Sequence, residues 1–143
     1  MKAKAKSKRP KLVRISEEMR QWSAMLEHEL SGWPNISSRS MFGFLSFYNK
    51  GSIFAALPHT RGVGTPNSFM FRFTAMPAEL LEKAGQARQF KLEDRSPGAK
   101  WYIFELSSVD DLRDALWWLN QAYEAAGRSD KRKVLRAKGG RSG

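Results

Sequence analysis

Fourteen lysines and arginines crowd the two ends of this 143-residue chain, and neutralising phosphate is the first chemistry they suggest. Met1 to Arg14 carries Lys2, Lys4, Lys6, Lys8, Arg9, Lys11 and Arg14 with no acid. Arg128 to Gly143 carries Arg128, Lys131, Arg132, Lys133, Arg136, Lys138 and Arg141 against Asp130 alone. Of 25 basic and 14 acidic residues, 11 and 13 remain between Ile15 and Gly127, so the net charge of +11 belongs to the ends and the middle stands at −2. Cations gathered in this way attract a polyanion, because each phosphate they neutralise releases condensed counterions. The expected partner is nucleic acid, DNA ahead of RNA, held with little sequence preference. The competing reading is that Lys-rich ends serve solubility alone.

A second candidate lies inside the chain. Between Pro58 and Asn67, Gly62 and Gly64 would let backbone N–H groups approach an anion, and His59, Thr60 and Arg61 supply further donors. The Lys-Ser/Thr ending of a P-loop is missing. Arg61 is the body residue expected at a phosphate or in a minor groove, with the loop as a wing tip. The plainer alternative is a mobile connection between two strands.

The catalytic inventory is thin. There is no Cys, and the two histidines, His28 and His59, have no further ligand at metal-binding spacing. No Ser sits in a G-x-S-x-G elbow. The acid pairs Glu17-Glu18 and Asp110-Asp111 are accounted for as first-turn charges on helices. No enzymatic activity, metal or cofactor is therefore expected. Trp117 stands apart: on a helical wheel it falls with Arg113 and Glu124, away from Leu112, Leu116 and Leu119. A Trp so placed packs on a neighbouring helix or a dimer partner, ahead of stacking on nucleic acid. An alternative function follows, a protein-interaction or small-ligand module that uses Trp117 and the His59–Arg61 loop, with the tails incidental.

The elements that must position these residues follow from periodicity. Ser16 with Glu17 and Glu18 opens a helix whose stripe is Ile15, Met19, Trp22, Leu26, Leu30 and Trp33, ending near Gly32. Ile36 to Phe42 reads as a strand, Phe44 to Tyr48 as a second or as its continuation through Gly43, Asn49-Lys50-Gly51 as a hairpin turn, and Ser52 to Leu57 as the returning strand. Phe69, Phe71 and Phe73 alternate with polar residues, marking a half-buried strand. Arg39 and Arg72 are assigned to the solvated side of the sheet. Pro77 starts a short helix that stops at Gly85. Phe90 to Leu92 is a possible short strand, 93–98 a turn, and Trp101 to Leu106 the last strand. Ser108 begins a final helix with Val109, Leu112, Leu116, Leu119, Tyr123 and Ala126 as its stripe. The fold class is α+β, a single domain with an antiparallel sheet of about four to six strands and helices on one face. The expected organisation is a disordered basic tail over 1–14, the folded domain over 15–127 and a second disordered basic tail over 128–143. The absence of Cys and of any apolar run near the ~18 residues of a membrane span fits a cytoplasmic protein without a signal peptide.

The run Arg39-Ser40-Met41-Phe42-Gly43, followed by Phe47-Tyr48, Gly51 and Phe54-Ala55, resembles the start of the TfoX N-terminal domain. Trp101, Leu112 and Ala122-Tyr123 are similar to the related YjbR-type proteins and to a family labelled "luciferase domain". The likeness spans roughly Ser16 to Ala126 and departs at Phe44-Leu45-Ser46, where TfoX-like proteins often carry another Gly. The basic tail stands where TfoX proteins have a helical C-terminal domain. The resemblance implies an α+β fold with paired hairpin wings and a non-enzymatic role near DNA. It carries over no catalytic residue.

Overall fold

A computed structural model describes residues 12–63, 65–73, 75–90 and 101–142, with side chains as far as Arg128. The elements run β1 (Leu12–Arg14), α1 (Glu17–Ser31), β2 (Ile36–Met41), β3 (Phe44–Asn49), β4 (Ser52–Pro58), β5 (Arg61–Val63), β6 (Ser68–Arg72), α2 (Ala78–Gln86), β7 (Trp101–Glu105) and α3 (Asp111–Ser142). Five strands form an antiparallel sheet in the order β2-β3-β4-β6-β7, and β1 pairs with β5 in a separate two-stranded ladder. This is the α+β domain that the sequence predicts.

The hairpins follow from their turn residues. Phe42-Gly43 joins β2 to β3 with φ of 52° and 83°, and Lys50-Gly51 joins β3 to β4 with φ of 54° and 86°. Positive φ at both central residues matches the twist of the flanking strands. Chain reversal at Gly43 therefore makes two strands where a continuous one was also conceivable. Ser16 caps α1 by accepting the Met19 N–H at 3.0 Å, while Glu17 and Glu18 sit at the positive end of its dipole.

The strand period of two sends Leu45, Phe47, Ala55, Leu57, Phe69, Phe71 and Phe104 to one face, where Leu26, Leu30, Trp118, Leu119 and Ala122 of α1 and α3 meet them. Phe71 is the centre of this core: its ring lies parallel to Trp118 at 5.9 Å and within 5.6 Å of Phe90. A small separate cluster, Phe44 and Ala56 with Met70 and Ile103, lines the opposite face. Arg39 and Arg72 share that opposite face, Arg39 exposed and Arg72 half-buried.

Four expectations need correction or restriction. Leu12 to Arg14, assigned to the N-terminal tail, form a strand, because Val13 and the buried Ile15 carry β-forming apolar character up to the start of α1. Of residues 128–143, expected as a disordered basic tail, the helical backbone of α3 is described as far as Ser142 and a side chain only at Arg128. Val109 is 57% exposed and precedes α3, since Ser108 starts a turn whose carbonyl accepts the Asp111 N–H. Of the Phe90–Leu92 strand only an isolated bridge, Phe90 to Phe104, is described, and the 93–98 turn lies outside the described residues.

Candidate nucleic-acid interface

The β1–β5 ladder joins the basic N-terminal segment to the internal loop. Its register pairs Val13 with Gly62 and Arg14 with Arg61. Beyond the ladder the Ile15 N–H donates to the Thr60 carbonyl and the Ser16 N–H to the Pro66 carbonyl, both at 3.2 Å. The Ser16 hydroxyl also donates to Asn67 Oδ1. Directly opposed residues of an antiparallel pair point to the same side with Cβ atoms about 5 Å apart. Arg14 and Arg61 thus stand together, both exposed, and among the described residues neither has an acid within ion-pair distance. Two like charges placed so repel each other and favour a shared or bridging anion.

The loop is therefore built rather than loose. Gly43 accepts two hydrogen bonds at its carbonyl, from the His59 N–H at 2.9 Å and the Thr60 N–H at 3.1 Å. A Cβ on Gly43 would lie 2.8 Å from Thr60 Oγ1 and 3.6 Å from Arg61 Cγ, so only glycine lets the hairpin tip sit this close. A Cβ on Gly62 would lie 2.7 Å from the Thr65 carbonyl oxygen and 3.4 Å from Ile15 Cγ2. Close packing thus explains Gly62 without an anion cradle, while Gly64 is outside the described residues. His59 turns toward α1, where its Nε2 lies 3.4 Å from Glu27 Oε1, Thr60 is exposed, and Arg61, the guanidinium of the three expected donors, faces outward. It does so from a strand and not from a loop tip.

The remaining predicted nucleic-acid residues fall at or beyond the edges of the description. Lys2, Lys4, Lys6, Lys8, Arg9 and Lys11 lie outside the described residues. Lys131, Arg132, Lys133, Arg136 and Lys138 lie on the α3 backbone, with positions 128, 132 and 136 at successive steps of four along it.

Trp117 sits far from this edge. It is 41% exposed, its ring meets Trp118 edge-on at 5.0 Å, and the Lys83 ammonium of α2 lies 5.2 Å from its ring centre. The two helices frame an open cleft of about 480 Å³ that also includes Gln86, Gln89, Arg113 and Asp114. The expected neighbouring helix is thus present within the chain, contacting the ring through a cation–π approach.

Two residues with structural consequence escaped the sequence reading. Asp111, expected as a first-turn charge, is buried: Oδ2 accepts the Ser107 N–H at 2.7 Å, and Oδ1 faces Gln89 Nε2 at 3.2 Å and Arg88 Nη2 at 3.4 Å. Burial pushes its carboxyl up, but the Ser107 amide, Gln89 and Arg88 outweigh burial and hold it below the usual aspartate range. Asn49, read only as part of a turn, is also buried and donates from Nδ2 to the Tyr123 carbonyl at 2.8 Å. A Cβ on Gly127 would lie 2.8 Å from that Nδ2, so Gly127 admits the clamp that ties the β3–β4 turn to α3. An acid three residues after a Ser and an Asn before a Lys-Gly turn have local explanations, and no local signal distinguishes these buried roles.

Among the described residues no group of three or more His, Asp or Glu is arranged to hold a metal, and no helix is long and apolar enough to cross a membrane. The described architecture, helices on one side of a five-stranded antiparallel sheet with two tight hairpins, defines a small two-layer α+β domain. The hairpin tip at Phe42-Gly43 and its docking on residues 59–61 lie within a segment, residues 28–126, that matches the TfoX N-terminal domain, and the chain belongs to that family. No curated protein and no solved structure matches it.

Proposed function

We propose that this protein is a non-enzymatic nucleic-acid-associated factor of the cytoplasm, which grips DNA through backbone phosphates with little sequence preference. Its basic ends supply most of the affinity, and the β1–β5 edge supplies a fixed contact from the folded body. The observation that carries the reading is the Arg14–Arg61 pair. Two exposed guanidinium groups opposed across a ladder cost stability by themselves, and a phosphate would relieve that cost. Arg14 is itself the last of the seven basic residues of the N-terminal segment, so the pair joins that segment to the folded body. The family's association with the regulation of DNA uptake and competence is compatible with this reading.

The test is fluorescence anisotropy of a labelled 20-base-pair duplex with the full chain and with two neutralised variants. One replaces Lys2, Lys4, Lys6, Lys8, Arg9 and Lys11 with Gln, the other Lys131, Arg132, Lys133, Arg136 and Lys138. The wild type is expected to bind in the non-specific range, about 10⁻⁴–10⁻⁶ M near physiological salt. Each variant should bind more weakly, with a flatter salt dependence. Undiminished binding by both variants would show that the ends do not carry the affinity.

A further inference from the structure

Phe42 is 83% exposed, more than any other large apolar side chain among the described residues. Its backbone is left-handed, with φ of 52°. Each property costs free energy: a bulky side chain is strained in that region, and an aromatic ring held in water forfeits its burial. Asn or Gly would build the same turn without either cost, and the sister turn places a solvated Lys50 at the equivalent position. The hairpin alone therefore does not account for an aromatic residue at this tip.

The surroundings indicate what the ring meets. Gly43, the next residue, is pinned by the His59 and Thr60 amides and packs beside Arg61 Cγ, so the tip is held rigidly next to Arg61 and, across the ladder, Arg14. Among the described residues Glu27 faces His59, and Glu17 and Glu18 sit in the first turn of α1. An exposed aromatic side chain on a backbone pinned beside Arg61, with Arg14 the next cation across the ladder, is complementary to a nucleobase with its adjoining phosphates. Such rings stack on unpaired bases or wedge between base steps, while neighbouring cations hold the backbone. An apolar pocket on a protein would have no use for the two arginines.

We propose that Phe42 is the base-contacting residue of the β1–β5 edge, with the neighbouring Arg61 and Arg14 on the adjoining phosphate backbone. The inference rests on the nucleic-acid reading above and adds to it a base contact and the residue that makes it. A base face is offered by a single strand and, after kinking, by a duplex.

The experiment compares full-length wild type, Phe42→Asn and Phe42→Trp in three measurements: thermal unfolding, anisotropy with a 12-nucleotide oligothymidine and with a 20-base-pair duplex, and end-to-end energy transfer on a doubly labelled duplex. Phe42→Asn should unfold at the wild-type temperature or above, because it relieves the left-handed strain. It should nevertheless lose single-strand affinity by about 5- to 150-fold, the range for deleting one stacking side chain. The salt slope should stay unchanged, since no charge is removed, and Phe42→Trp should retain binding. Bending of the duplex by wild type but not by Phe42→Asn would assign the base to a kinked duplex, and single-strand loss without bending would assign it to unpaired bases. Wild-type affinity for both nucleic acids in Phe42→Asn would overturn the inference and leave the phosphate reading standing. No binding by the wild type to either would overturn the phosphate reading itself. Loss of a sedimenting dimer in Phe42→Asn would place the ring against a second copy and overturn the base contact.

Discussion

Replacing Arg61 and Arg14 by Ala, singly and together, separates the folded edge from the basic ends. The two residues are direct partners on one ladder, both exposed, and without an acid among the described residues. Each phosphate contact contributes about −0.9 to the slope of log K against log salt. Over a fourfold rise in salt from about 50 to 200 mM, one contact accounts for a factor of about 3.5 in affinity. Arg61→Ala should therefore flatten the slope by roughly one unit. The double variant discriminates further: a flattening of roughly two units means two phosphates, and roughly one unit means that both guanidinium groups grip the same one. Stability should move the other way. Like charges opposed across an exposed ladder repel by at most several tenths of a kcal/mol, about 0.2–1, so removing one leaves the melting temperature level or slightly raised. The assay is anisotropy against a 20-base-pair duplex at four salt concentrations, beside thermal unfolding of the same samples. Unchanged slopes at wild-type affinity in all three variants would refute the reasoning, and a fall in melting temperature would mark the arginines as structural.

Four further substitutions test the packing of the folded body. Gly43→Ala forces a side chain into φ of 83° and to within 2.8 Å of Thr60 Oγ1; it should cost about 1–3 kcal/mol in urea unfolding and weaken duplex binding by freeing Arg61. Asp111 has a folded-state pKa below its unfolded value, so its stabilisation is fully present above the unfolded value of about 3.9 and drains away as pH falls through the lower folded value. Asp111→Asn should accordingly flatten the loss of stability with acid below about pH 5, read as urea midpoint against pH. Trp118→Ala should cost about 3–5 kcal/mol, because Trp118 is 3% exposed and lies against Phe71 and Phe90, whereas Trp117→Ala, at 41% exposed, should cost well under half of that in the same unfolding assay.

Local periodicity carried most of the architecture. The Phe69, Phe71 and Phe73 alternation reads as a strand because the pleat itself has period two, and all three are buried as that period requires. The Met19–Leu30 stripe reads as a helix for the corresponding reason, and Ser16 caps it where a hydroxyl before two acids should. These signals lie within a few residues of one another. β1 is different: three residues acquire their structure from a partner strand at 61–63, and only the apolar Val13 and Ile15 hint at it. Gly62 shows the same limit, since glycine for anion approach and glycine for packing against Thr65 look identical until the neighbour is known. Tail composition favours disorder from Arg128 onward, and of that segment only a helical backbone continuing α3 is described.

The candidate site divides along that line. Its charge is a sum over the sequence, so the neutral body and basic ends were legible without any fold. Its geometry depends on three contacts between distant segments: Arg14 with Arg61, Gly43 with residues 59 and 60, and the Ser16 hydroxyl with Asn67. Those contacts convert Arg61 from a side chain on a mobile loop into one held at a fixed place beside a second arginine and a rigid aromatic tip. Long basic ends alone give affinity for any polyanion at any angle. Under the reading proposed above, a body that fixes two cations and an aromatic tip at one edge would add orientation, which net charge alone cannot supply, and that orientation would turn attraction to phosphate into a defined mode of contact with a base.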